Sequence, residues 1–220
     1  MSIQTVIDSA ININIDRRKL AGQTMSRSGH VKISSVASSI PWVFIVDMHN
    51  ATKYSTNRSL FEEIDRMDRI FLETINIGST NPGLAYITQY QGDFTPAQLN
   101  QTSVASASGL ELVLDVSSVT GEASTDYVVK KGDYVQLDGA YKYPYTVTAD
   151  VQRGIASTVT IPLSRPFIEQ SGYTVAGADL VVGVDCTWNV VMSKKPSYNI
   201  VPHDRGVFSG SFELVEVIDD

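Results

Sequence analysis

The chain has 220 residues, 43% of them hydrophobic, which allows a packed core in one large domain or two smaller ones. Its formal net charge is −7 and its isoelectric point about 4.9, which argues against non-specific binding to nucleic acid but suits an acidic wall that DNA slides past. One cysteine, Cys186, excludes an internal disulfide; no run approaches the ~18 apolar residues of a membrane span, and no leader pattern opens the chain, so synthesis and assembly in a cytoplasm are expected.

In chain order, Ile11, Ile13 and Ile15 alternate with Asn12, Asn14 and Asp16, the pattern of a half-buried strand. The polar stretch RRKLAGQTMSRSGHVKISS then reads as a long hairpin arm. PWVFIVDM is apolar and β-rich, with Trp42, Phe44 and Val46 on one face. Residues 59–72, SLFEEIDRMDRIFL, form the one long stretch with helical periodicity. There Leu60, Ile64, Met67 and Phe71 share a face, which predicts packing of these four against a sheet. Ser59 and Glu62 have the spacing of a capping box. Glu62 with Arg66 and Asp65 with Arg69 are acid-before-base pairs on the outer face. A lone amphipathic helix about 20 Å long needs one apolar surface, and a β-sandwich with one helix against it supplies that.

ETINIG and GLAYITQYQG read as two short strands with Asn81, Pro82 and Gly83 as the turn. The small polar run TPAQLNQTSVASASG reads as a linker or boundary. Beyond it come short strands at close spacing, LELVLDVSS, YVQLDG, YPYTVTADV and STVTIPLSRPF, which suggest a small barrel or sandwich. Leu110, Leu112 and Leu114 are assigned to one face, and Val159, Ile161 and Leu163 to another. Gly132 and Asp133 supply a turn. DLVVGVDCTWNVVM reads as one long strand with Trp188, Val190 and Met192 together, and GSFELVEVID closes the chain. Two long C-terminal strands need partners before residue 93, so the middle block reads as an insertion. The expected fold class is all-β with one α-helix. Residues 1–94 and 177–220 form one domain, and 95–176 an inserted one.

No catalytic or metal-binding pattern emerges. His30, His49 and His203 lack a second ligand at metal spacing. No P-loop, G-x-S-x-G or G-x-G-x-x-G is present. The acidic pairs on the helix read as a solvated face, and Asp219 with Asp220 as a solubilising tail. Cys186 reads as a small buried hydrophobe. No catalysis and no cofactor are therefore expected. Tyr127, Tyr134, Tyr141, Tyr143 and Tyr145 cluster in the middle block. They offer either a core filling or a candidate ligand and partner surface that stacks sugar rings. Residues 96–176 carry eight acidic and five basic residues, a net of −3, which disfavours nucleic acid as the ligand there.

The arm SRSGHVKISS, the strand PWVFIV, the helix SLFEEIDRMDRIFL, the block containing GDYVQL, and the closing WNVVMSKKPSYNIVP and FSGSFELVEV follow one another in a revealing order. That order resembles the distal tail protein (Dit) family of long-tailed bacteriophages, in the branch whose insertion is an OB-fold-like barrel. The resemblance covers nearly the whole chain as an order of elements. It implies a tail-tube-like β-sandwich carrying an OB-like β-barrel. It also implies a hexameric ring in the virion, at the baseplate or tail tip, joining the tail tube protein to the hub or tip protein. Genome DNA would pass through the lumen unbound. The barrel would hang outward, toward side fibres or a host surface glycan, and a carbohydrate-binding or fibre-attachment module is the alternative function. Under the ring reading, Arg17, Arg18, Lys19, Met25 and Arg27 in the arm are the expected ring-interface residues.

Overall fold

A computed structural model describes residues 3–17, 21–25, 31–35, 41–48, 51–66, 72–78, 81–139, 143–169 and 172–218. The described residues are mostly strand, in several antiparallel sheets with short helices between them. The chain opens with a helix that alternation alone did not predict, α1 (Ile3–Asp8), which buries Ile3, Val6 and Ile7. β1 (Ala10–Asp16) follows. The ladder slips between Ala10 and Asn12, so Ile11 bulges out and is 51% exposed, while Ile13 and Ile15 stay half-buried. β2 (Ala21–Met25) and β3 (Val31–Ser35) pair with each other as the arm. β4 (Val43–Met48) buries Phe44, Val46 and Met48, and Trp42 is buried just before it.

After β5 (Ala51–Lys53) comes α2, Tyr54–Arg66. The helix begins five residues before Ser59, with a kink at Asn57, so Ser59 lies inside it and not at its cap. The cap comes from far away. Asp204 accepts the Ser55 backbone N–H at 2.7 Å with one oxygen and the Ser55 hydroxyl with the other. Leu60 and Ile64 are buried, as is Phe61, which periodicity at steps of three and four passed over. Met67 and Phe71 lie outside the described residues.

β6 (Glu73–Ile75) is a short strand, but GLAYITQYQG contains a helical turn instead, α3 (Ala85–Thr88). The supposed linker is also structured. Thr95 and Gln98 form a capping box at α4 (Pro96–Leu99), and β7 (Ser103–Ser108) follows. Small polar residues hid a strand whose buried member is Val104. β8 (Glu111–Asp115) buries Leu112 and Leu114, whereas Leu110 is in the turn before it and is 53% exposed. β9 (Tyr127–Val129), β10 (Tyr134–Leu137), β11 (Tyr145–Thr146), β12 (Val151–Gln152) and β13 (Thr158–Pro162) complete the block with β14 (Leu180–Val182).

The long strand expected over 179–192 is broken. Gly183 has φ +66, and a Cβ there would stand 2.9 Å from the backbone nitrogen of Tyr90. The chain turns through a 3₁₀ helix, Gly183–Asp185, before β15 (Trp188–Lys194). β16 (Ser197–Val201), β17 (Arg205–Ser209) and β18 (Phe212–Glu216) end the chain.

The largest sheet runs β1-β4-β18-β15-β6. Its order shows both ends of the chain meeting: β18 pairs with β4, and β15 with β6. A second sheet, β16-β17-β5, shares its core. Within that core Phe61 stacks on Phe208 with ring centroids 5.0 Å apart. The ring passes so close to β17 that a Cβ on Gly206 would lie 2.2 Å from it. A second apolar core runs from Phe94 to Leu180. Around it lie the sheets β13-β8-β7, β11-β10-β14 and β12-β9, and a bridge between Val147 and Leu163.

Candidate functional site

The described residues converge chemically at one place, the joint between the two cores. β10 forms the shared wall. Tyr134 belongs to the first core, Val135 and Leu137 to the second. That split follows from the two-residue period of a strand. Gln136 is 2% exposed and mimics a peptide group. Its amide donates to the Thr187 carbonyl at 2.9 Å, and its oxygen accepts the Thr187 N–H at 3.0 Å. It thereby continues the backbone pairing at the start of β15.

Arg165 and Glu216 form the centre of the joint. The two arginine NH groups each donate to one carboxylate oxygen, Nη1 to Oε2 at 2.6 Å and Nη2 to Oε1 at 2.7 Å. Arg165 also donates to the Pro144 carbonyl at 2.9 Å, and Glu216 accepts the Trp42 N–H at 3.0 Å. Both side chains are buried, so the pair is held in a low dielectric where geometry decides its worth. The guanidinium lies 4.8 Å from the Trp42 ring and 5.3 Å from that of Tyr145. Trp42 in turn contacts Tyr134 and Trp188, and those two each other, with centroids 5.7 to 6.1 Å apart. These groups are suited to fixing an orientation between two bodies.

Of the expected arm contacts, Arg17 is spoken for within the chain. It donates to the Tyr134 hydroxyl at 2.7 Å and to Thr146 Oγ1 at 3.1 Å. Met25 lies in β2, paired with Val31. Arg18, Lys19 and Arg27 lie outside the described residues, as does Tyr141. The tyrosine surface needs correction. Tyr134 and Tyr145 are buried, because they lie in short strands packed from both sides, and Tyr143, just before β11, is buried in the second core. Burial pushes the Tyr134 hydroxyl above its ordinary value and that of Tyr145 up to about 12. Tyr127 is half-buried, with Lys130 Nζ 5.0 Å from its ring centre.

No protein-family model matches this chain, and no curated protein matches it. Its chemistry must be read from its own residues. Among the described residues, no group of three or more His, Cys, Asp or Glu could hold a metal ion. His203 occupies a turn with φ 69, next to Asp204, while His30 and His49 lie outside the described residues. Cys186 is fully buried, and burial raises its thiol well above the ordinary range, so thiolate chemistry is suppressed. No described helix is long and apolar enough to cross a membrane. Asp133 is buried at a β-turn, where it accepts the N–H groups of Gln91 and Lys130 at 2.9 and 2.8 Å. Burial raises its carboxyl while these N–H groups pull it down, and its partners are those of a loop staple.

Sequence reasoning missed Arg165 and Glu216. The signal was faint: Glu216 is a charge at an inward position of the alternating strand Phe212, Leu214, Glu216. An inward charge needs a partner.

Proposed function

We propose that this chain is a structural virion protein of the Dit kind it resembles, a distal tail ring joining the tail tube to the tip or hub without catalysis. The observation that carries this reading is topological. The large sheet is made from both ends of the chain, and the block between them has its own core. The block leaves and returns at one point, since Tyr90 and Gly183 are in contact. We read the two sheets with α2 as a tail-tube-like β-sandwich. The block between Tyr90 and Gly183, whose core takes in Phe94 and Leu180 and so reaches past the expected bounds of 95 and 176, is read as an OB-like barrel. The arm β2–β3 then supplies contacts between ring neighbours, with Met25 and the basic residues around it. The tube and hub proteins cover the two faces of the ring, and DNA passes through the lumen. The buried Arg165–Glu216 pair holds the outward barrel at a fixed angle.

The alternative, carbohydrate binding by the block, loses three of its rings, because Tyr134, Tyr143 and Tyr145 are buried. Gold-labelled antibody against the chain, applied to tailed particles encoded by the same genome, tests the proposal. Label at the far end of the tail tube is expected. Label on the head or none on the particle contradicts it.

A further inference from the structure

We propose that Arg17 is a latch that ties the root of the β2–β3 arm to the middle block, so that arm and block are energetically coupled. The arm grows from the end of the β1–β4 ladder, whose last rung is Asp16 opposite Val43. Arg17 is therefore the first residue of the outgoing limb, and Trp42 the last of the returning one. The Arg17 guanidinium lies 5.4 Å from the centre of the Trp42 ring, so the two limbs are joined at their root. The same guanidinium donates to Tyr134 at 2.7 Å and Thr146 at 3.1 Å, on β10 and β11 of the block. It also lies 5.3 Å from the centre of the Tyr134 ring.

The acceptors are buried and the donor is exposed. Tyr134 and Thr146 are buried at 2% and 5% exposure, on strands that pair with each other. Arg17 reaches them from an exposed backbone position at the edge of the ladder. Water can replace the bonds to Arg17 without unfolding either core. A planar fork that bonds two oxygens at once gives the closed state a definite geometry. Trp42 is also the neighbour of Arg165, so the latch abuts the ion pair that fixes the block. A force on the arm is thus felt at the joint, and a change at the joint is felt by the arm. The coupling holds whether or not the chain forms a ring.

Amide hydrogen exchange of the purified full chain tests this. In Arg17→Ala, the paired amides of β2 and β3 should exchange at least roughly tenfold faster, since both charge-assisted bonds to the block are lost. Arg17→Lys should behave in the same direction, because an ammonium cannot replace the fork. Tyr134→Phe and Thr146→Val keep the packing and remove one acceptor each. Each should speed the arm by less than Arg17→Ala, and neither should add to it when combined with Arg17→Ala. Amides of β8 and β13, in the second core, should be unchanged in all of them. Arm amides that exchange at the wild-type rate in Arg17→Ala overturn the latch. So does an equal acceleration in β8 and β13, which would mean general destabilisation, and so does full additivity of Arg17→Ala with Tyr134→Phe.

Discussion

Glu216 is the residue on which the relation between the two cores depends. Its carboxylate accepts two bonds from Arg165 and one from the Trp42 backbone, all out of water. Glu216→Ala leaves the Arg165 guanidinium buried without its counter-charge, and such a break costs about 3–5 kcal/mol. Urea unfolding should show this as a lower midpoint at unchanged slope. Replacing both residues by methionine should cost far less, since neither charge remains to be desolvated. Equal losses in the single and double variants would show that packing, not charge pairing, holds the joint. The pair was not legible in the sequence because its members are 51 residues apart and neither lies in a motif. Cys186 was legible, because a small apolar side chain in an apolar run has one physical use.

Elements were legible where one face is apolar and illegible where a distant residue sets the boundary. The periodicity of Leu60 and Ile64 located α2 and its buried face. Its start was misread because the cap is Asp204, beyond the reach of any local pattern. Small polar residues concealed β7, and Gly183 broke an apolar run that alternation read as one strand. Ile64→Asp puts an unpaired charge against Phe61's neighbours in the first core and should cost several kcal/mol. Undiminished thermal stability in that variant would show the helix to be docked differently.

The same element predicts an acid effect. Hydrogen bonds from Ser55 hold the Asp204 carboxyl below its ordinary value of 3.8. The Tyr198 hydroxyl does the same for Asp65, aided by Lys195. Both folded-state values are depressed. Their contribution is therefore present above the unfolded value and lost as pH falls through the folded one. On acidification below about pH 4, α2 amides should lose protection before those of β8 and β13. In Asp204→Asn this extra acid sensitivity should shrink. An unaltered acid profile in that variant would remove Asp204 from the account.

At the scale of the whole molecule, the order of elements carried the reading further than any motif. The need of two C-terminal strands for partners pointed to the strands before residue 93, and β18 pairs there with β4 and β15 with β6. The joint was invisible, because it is assembled from six separate stretches of chain, at Trp42, Tyr134, Tyr145, Arg165, Trp188 and Glu216. It also changes what excision of the block should do. Joining Tyr90 to Gly183 by a short Gly/Ser linker closes a small gap, and loop closure depends weakly on length. Excision alone, however, removes Arg165 from Glu216 and Tyr134 from the two tryptophans. The shortened chain should unfold cooperatively only when Glu216→Met accompanies the excision. An excised chain that is equally stable with Glu216 intact would contradict the joint. The central claim is the ring, and native mass spectrometry with symmetry analysis of particle images tests it most directly. The account predicts a closed assembly of six 24.0 kDa chains with six-fold symmetry, formed alone or on tube and hub subunits. A closed dimer or trimer, or a chain that stays monomeric with those subunits present, would contradict it.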